Sequence, residues 1–129
     1  MRRPALAAAL SVCLLAACGE DAGDGKGRAL TVPAGQTVGV VAREYSFDPT
    51  KVVVEGPGAV RLALSNRGTL AHNLKVIRGG RELGGTPTFP GGRTESGTVR
   101  LEPGRYELVC TVDDHADLGM TASLEVRSR

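Results

Sequence analysis

Residues Tyr106–Met120 read YELVCTVDDHADLGM, and this stretch indicates both the fold and the chemistry of the chain. It places Cys110, His115 and Met120 at successive intervals of five residues. Beyond residue 18 the sequence contains one other histidine, His72, and no other cysteine or methionine. The short spacing and the lack of a second cysteine pair argue against a structural zinc ribbon.

Two imidazoles, one thiolate and one thioether form a donor set that suits copper. Soft sulfur favours Cu(I), imidazole accepts both oxidation states, and a long thioether bond completes the copper sites that transfer electrons. Taken singly, each residue has a simpler interpretation: Cys110 as a small buried hydrophobe, His72 as a polar strand-edge residue, His115 as an ion-pair partner and Met120 as core filler. The combination favours a metal site.

The first 17 residues are predicted to be a signal peptide. A basic start is followed by an apolar run, Ala5–Ala17, which is too short to cross a bilayer as a helix. The run ends in LAACG at residues 15–19, which resembles a bacterial lipobox and implies cleavage before a lipidated Cys18. An ordinary secretory signal is the alternative, and both interpretations predict export.

Residues 18–28 are polar and glycine-rich, and we expect them to form a flexible tether with a reach of about 15–20 Å. Residues 29–129 form one predicted domain, in which Cys110 has no cysteine to pair with. The chain has 16 basic and 14 acidic residues, and two of the arginines lie in the predicted signal peptide. The balanced charge that remains gives no basic patch for nucleic acid.

The domain reads as short strands separated by turn residues, with no sustained helical period. Gly79–Gly97 is predicted to be an irregular loop because of its paired glycines and two prolines. We therefore predict an all-β, Greek-key sandwich of about seven to eight strands. The predicted strands are Thr37–Glu44, Lys51–Glu55, Val60–Ser65, His72–Ile77, Thr98–Leu101, Arg105–Val112 and Thr121–Val126.

On this scaffold, one loop presents three of the four candidate ligands. His72 is expected to begin a strand, Cys110 to lie near the end of another, and Met120 to lie where the last strand begins. Gly119 is expected to let the loop pass close to the metal without an intervening side chain.

This pattern resembles the cupredoxins, the blue copper family that includes plastocyanin, azurin and rusticyanin. The resemblance covers about Val38–Val126 and is strongest in Y-x3-C-x4-H-x3-G-M from Tyr106, with His72-Asn73 upstream and Y-x-F-D-P from Tyr45 in support. Many family members have glycine where Asp114 precedes the second histidine, which leaves the conformation of this loop open.

The resemblance implies one type 1 copper ion bound by His72, Cys110 and His115, with Met120 as axial ligand. It also implies that Asn73 holds the ligand loop through Thr111, the residue after the cysteine. Bonds of this kind behind the ligands orient them and tune the metal.

The implied function is that of a membrane-tethered electron carrier, because both histidines are already used and none remains for a catalytic second metal. The protein would be a monomer facing the periplasm or the cell exterior. Its redox partners would dock transiently near His115, on a patch of small apolar residues (Leu70, Ala71, Ala116 and Leu118). A copper protein for storage, delivery or stress protection is the main alternative, and a metal-free adhesion module is a third.

Overall fold

The computed structural model describes residues 27–129. The predicted signal peptide, Cys18 and most of the predicted tether lie outside the described residues. Within residues 27–129 the chain forms ten strands, and no helix there has the length and hydrophobicity needed to cross a bilayer. The strands are β1 (Ala29–Pro33), β2 (Val38–Arg43), β3 (Ser46–Asp48), β4 (Lys51–Glu55), β5 (Gly58–Asn66), β6 (Lys75–Arg78), β7 (Arg81–Gly85), β8 (Thr94–Leu101), β9 (Gly104–Val109) and β10 (Thr121–Val126).

The strands form two mixed sheets, one of six strands and one of four. The order in the larger sheet is β1-β4-β10-β9-β6-β7, and the order in the smaller is β3-β2-β5-β8. In the larger sheet β1 and β10 both run parallel to β4, so that Ala29 and Ser123 lie level with Lys51. Strands β9 and β10 are antiparallel and pair Val109 with Thr121, beside the loop that carries the candidate ligands.

The two sheets enclose a single apolar core. Along β2 and β5 buried residues alternate with more exposed ones, as a strand with one covered face requires. The predicted β-sandwich is therefore confirmed. Aliphatic residues fill most of the core, as the low aromatic content requires: Val32, Val38, Val40, Val52, Val54, Val60, Leu62, Leu64, Leu74, Val76, Val99, Leu101, Leu108, Leu124 and Val126, together with Phe47, Phe89 and Tyr106.

The number of strands is higher than predicted. Strands β1 and β3 were not predicted, and β7 with the start of β8 occupies the segment 79–97 that was expected to be an irregular loop. Gly79 and Gly80, with φ of 57° and 74°, form the turn of a tight β6–β7 hairpin. Because β7 is mostly exposed and polar, it lacks the alternating apolar pattern on which the prediction depended.

Two ligand positions also differ from the predicted strand limits. His72 does not begin a strand but forms an isolated antiparallel bridge with Phe89, while β6 begins only at Lys75. Between His72 and β6, Leu74 forms both of its backbone hydrogen bonds with Thr86. The Thr86 Oγ1 accepts the Leu74 N–H at 3.0 Å, and the Thr86 N–H donates to the Leu74 carbonyl at 2.9 Å. Cys110 lies directly after β9 rather than inside it.

The edge strands β7 and β8 of the two sheets come together through backbone atoms. A Cβ atom at Gly97 in β8 would overlap the carbonyl oxygen of Gly85, and one at Gly85 would overlap the carbonyl oxygen of Leu74. Gly85 also has φ of 149°, which side chains of L residues rarely allow. Glycine at these positions therefore lets one edge of the sandwich close.

We predict that Gly97→Ala lowers the free energy of unfolding by about 1–3 kcal/mol, because the added methyl group has backbone rather than a movable side chain in its way. Chemical denaturation of the metal-free protein measures this loss. Gly39→Ala in β2 is the matched control, since no heavy atom lies within 4 Å of its added Cβ. Equal stability of the two variants would contradict the proposed closure.

Candidate metal centre

Three of the predicted ligands converge on one point inside the sandwich. The Nδ1 atom of His72 lies 3.2 Å from Nδ1 of His115, and Sγ of Cys110 lies 3.9 Å and 3.6 Å from these two nitrogens. His72 and Cys110 are fully buried, and His115 is 5% exposed. Two imidazoles and a thiol with their donor atoms directed at each other form a metal-binding group.

The loop from Cys110 to Met120 is closed by its own backbone. The Cys110 N–H donates to the Met120 carbonyl at 3.2 Å, and the Met120 N–H donates to the His115 carbonyl at 3.0 Å. The ends of the loop are held by β9 and β10, which are paired directly beside it. The sheet thus fixes where Cys110 and Met120 lie relative to each other, and the Met120–His115 hydrogen bond ties His115 to that pair.

Two residues of this loop have φ in the left-handed region. Asp113 has φ of 43°, which aspartate tolerates better than most residues, and the exposed Asp113-Asp114 pair occupies the turn before His115. Gly119 has φ of 108°, and the nearest atom to a Cβ built there is the carbonyl oxygen of Tyr45 at 3.9 Å. Gly119 is therefore favoured by its backbone conformation, and that it lets the loop pass close to the metal stays a prediction.

Met120 is fully buried directly before β10. Its backbone is hydrogen-bonded to both Cys110 and His115, so the residue lies beside two of the donor residues. That its thioether is the axial ligand stays a prediction.

Asn73 connects the strand bridge at His72 to the ligand loop. Its Oδ1 accepts the Thr111 N–H at 2.9 Å, and its Nδ2 donates to Oγ1 of Thr111 and of Thr88, each at 2.9 Å. These bonds join the residue after His72 to the residue after Cys110. They fix the separation of two of the three donor residues.

Glu44 contacts the donor group and was not identified from the sequence. Its Oε1 accepts the Leu70 N–H at 2.8 Å and the Thr69 N–H at 2.9 Å, and it lies 3.1 Å from Nε2 of His72. The hydrogen bond from the Leu70 N–H, and to a smaller extent that from His72, keeps the pKa of Glu44 below its ordinary value. The carboxyl is therefore ionised at neutral pH. No motif marks this residue, because its role depends on the turn after β2 meeting a loop far along the chain.

His115 is the donor nearest the surface. The exposed ring of Tyr45 lies edge-on to it, with the ring centroids 5.0 Å apart. Nε2 of His115 has no hydrogen-bond partner among residues 27–129. In the same range every buried side-chain nitrogen or oxygen has a partner, so an atom without one is not buried. This nitrogen therefore reaches solvent, whereas His72 is covered on both sides.

The size of the donor group fits a first-row metal ion. The point equidistant from the three donor atoms is about 2.1 Å from each, close to the roughly 2.0–2.3 Å of metal bonds to imidazole nitrogen and thiolate sulfur. One thiolate with two imidazoles is the donor set of type 1 copper. The residues present therefore fit that ion.

Known structures share this architecture. Auracyanin B matches with a TM-score of 0.66 and 25% identity over 71% of this chain and 88% of its own. Auracyanin A, a blue copper protein from the green thermophilic photosynthetic bacterium Chloroflexus aurantiacus, matches with a TM-score of 0.65 and 21% identity over 74% of this chain and all of its own. Reduced rusticyanin matches with a TM-score of 0.56 and 23% identity over 75% and 84% of the two chains.

These similarities show that the chain has the cupredoxin fold, and they confirm the resemblance that the sequence indicated. No protein-family model matches the sequence, and no curated protein matches it either. The similarity to the cupredoxins is therefore visible in the fold and in the donor group.

We predict that Asn73→Ala destabilises the metal-free protein by about 1–2 kcal/mol, because it removes three part-buried hydrogen bonds, two of them to Thr111. Thermal unfolding followed by circular dichroism measures the change. Thr88→Val is the control, since it removes one contact of the Asn73 amide and leaves both bonds to Thr111. A loss as large in the control as in Asn73→Ala would show that the link to Thr111 contributes little.

Proposed function

We propose that the protein binds one type 1 copper ion and acts as a one-electron carrier. His72, Cys110 and His115 would hold the ion through two imidazole nitrogens and a thiolate, and Met120 would supply a thioether. The observation that carries this proposal is the convergence of two Nδ1 atoms and one Sγ inside a cupredoxin fold. Bound copper supplies the one-electron chemistry by alternating between Cu(I) and Cu(II).

The protein's contribution is a donor group that stays in place while the charge changes. His72 is held by the bridge to Phe89 and by Glu44, and Cys110 is held by the end of β9 and by the loop hydrogen bonds. Small rearrangement between two oxidation states allows fast electron transfer. Both histidines of the sequence belong to this group, so none remains for a second, catalytic metal. These features support a carrier rather than an enzyme.

We take the docking patch to be three exposed apolar side chains: Tyr45, which contacts His115, and Leu70 and Leu118, which each lie two residues from a candidate ligand in the sequence. These side chains are 37%, 42% and 51% exposed, and Tyr45 packs against the His115 ring. Ala71 and Ala116, which were expected in the same patch, are partly buried. A small apolar surface around the most exposed donor suits brief contacts with redox proteins, which bury little area. Electrons would enter and leave through His115.

The extracytoplasmic location and the membrane tether are also proposed, on the sequence of residues 1–28 alone. A lipid on Cys18 followed by a glycine-rich segment would keep the carrier at a membrane surface, outside the cytoplasm. The apolar run before Cys18 and the LAACG pattern support this assignment.

Titration of the purified protein with Cu(II) tests the proposed centre. We expect an intense blue absorption band from thiolate-to-copper charge transfer that reductant bleaches and oxidant restores. Cys110→Ser should lose this band and keep the fold. A wild-type protein that stays colourless, or shows only the pale colour of nitrogen and oxygen ligation, would contradict the proposal.

Electron self-exchange between oxidised and reduced copies tests the docking patch without a known partner. We expect Leu118→Glu to slow self-exchange, measured by NMR line broadening, at least tenfold. Each encounter between two copies would bring the two introduced carboxylates together in the contact, where like charges repel. Leu83→Glu is the matched control, since Leu83 is 40% exposed on β7 and lies outside the patch. Equal rates in the two variants would place electron exchange elsewhere on the surface.

A further inference from the structure

We propose that Glu44 is a positioning residue for His72, which holds one tautomer of its imidazole and lowers the reduction potential of the centre. The potential depends on the copper site proposed above, whereas the tautomer belongs to the chain itself. The geometry that carries the inference is the 3.1 Å contact between Glu44 Oε1 and His72 Nε2, on the side of the ring opposite to the donor nitrogen.

The contact assigns the proton of the His72 ring. An ionised carboxylate oxygen can only accept a hydrogen bond, so Nε2 must be the donor and carry the hydrogen. In a neutral ring Nδ1 is then unprotonated, and this is the atom that faces Cys110 and His115. Glu44 thus prepares the lone pair of His72 for a metal before any metal arrives.

The carboxylate is fixed as well as charged. The same Oε1 is held by two backbone N–H groups, those of Thr69 and Leu70, just before His72 in the chain. A Cβ atom at Gly68 would overlap this oxygen, so a larger residue there would displace the carboxylate from its present position. The turn after β2 and the loop after β5 are therefore shaped around one carboxylate oxygen that also contacts the histidine.

The charge has a direct effect on the redox equilibrium. A negative group bonded to the far nitrogen of a ligand imidazole makes that ligand a stronger donor, and it attracts Cu(II) more strongly than Cu(I). Stabilising the oxidised form lowers the reduction potential. His115 has no such partner among the described residues, so the two imidazole ligands differ in donor strength.

Glu44→Gln tests the charge. Glutamine retains an oxygen that can accept from Thr69, Leu70 and His72, so the loop can keep its shape. We expect the ratio of Cu(II) to Cu(I) affinity to fall about tenfold, which corresponds to a rise of about 59 mV in reduction potential for one electron. Asp117→Asn is the matched control, because it removes an exposed negative charge from the ligand loop without a hydrogen bond to a donor residue. An equal shift in both variants, or none in Glu44→Gln, would overturn the role of the charge.

The tautomer is tested without copper. In the 15N-labelled, metal-free protein, long-range 1H–15N spectra should show His72 with hydrogen on Nε2 and that hydrogen exchanging slowly with solvent. Gly68→Ala keeps the charge but displaces the carboxylate, and we expect the slow exchange to be lost. Glu44→Asp, whose shorter side chain cannot reach the ring as well, should also lose the slow exchange. Hydrogen on Nδ1 of His72 in the wild type would overturn the inference.

The two proposals fail in different ways. A colourless wild-type protein would remove the copper centre and leave the NMR result as the test of Glu44. A blue, reversible wild-type protein whose potential does not change in Glu44→Gln would keep the centre and remove its tuning by Glu44.

Discussion

The pairing of β9 with β10 is the constraint on which the rest of the site depends. Opposing Val109 to Thr121 brings the two ends of the 110–120 loop together, and the Cys110–Met120 and Met120–His115 hydrogen bonds then close it. The loop contains no regular secondary structure of its own, but its ends belong to a sheet whose strands are covered on one face. The position of the Cys110 thiol therefore follows from strand register, and a slip of one residue would reverse which side chains face the core.

Burial of the donor group makes the surrounding polar network necessary. Asn66, His72, Asn73, Thr86 and His115 are all buried, yet no buried side-chain nitrogen or oxygen of residues 27–129 lacks a hydrogen-bond partner. Polar groups inside an apolar sandwich cost free energy unless they are paired. Asn66 illustrates the solution, since its Nδ2 donates to the carbonyls of Leu70 and Phe89 and its Oδ1 accepts from Gly68. The segment that carries His72 is thus tied down by side chains as well as by its backbone bridge to Phe89.

The sequence predicts those parts of the molecule that are encoded locally. Lys51–Glu55 and Thr121–Val126 were predicted with the limits that the structure has, because three valines fill the first and apolar residues alternate with polar ones in the second. The four ligand candidates were identified by chemical type, since the domain has no other residues of those types. The exposed strand β7 and the bridge at His72 were missed because no apolar periodicity marks them. Glu44 was missed because its partners are brought to it only by the folded chain, about 25 residues away.

The parallel register of β1, β4 and β10 determines where the chain enters the domain. Ala29 lies level with Ser123, which is only two residues, or about 7 Å, beyond the first residue after the ligand loop. The chain therefore enters the domain at the end of the sandwich where the ligand loop lies. A domain held at a membrane by Cys18 would be joined to it at its metal-bearing end, through the predicted flexible segment 18–28. Because that segment is short, the donor group would stay near the bilayer whichever way the domain turns, so the attachment point itself would favour partners that work at the same membrane.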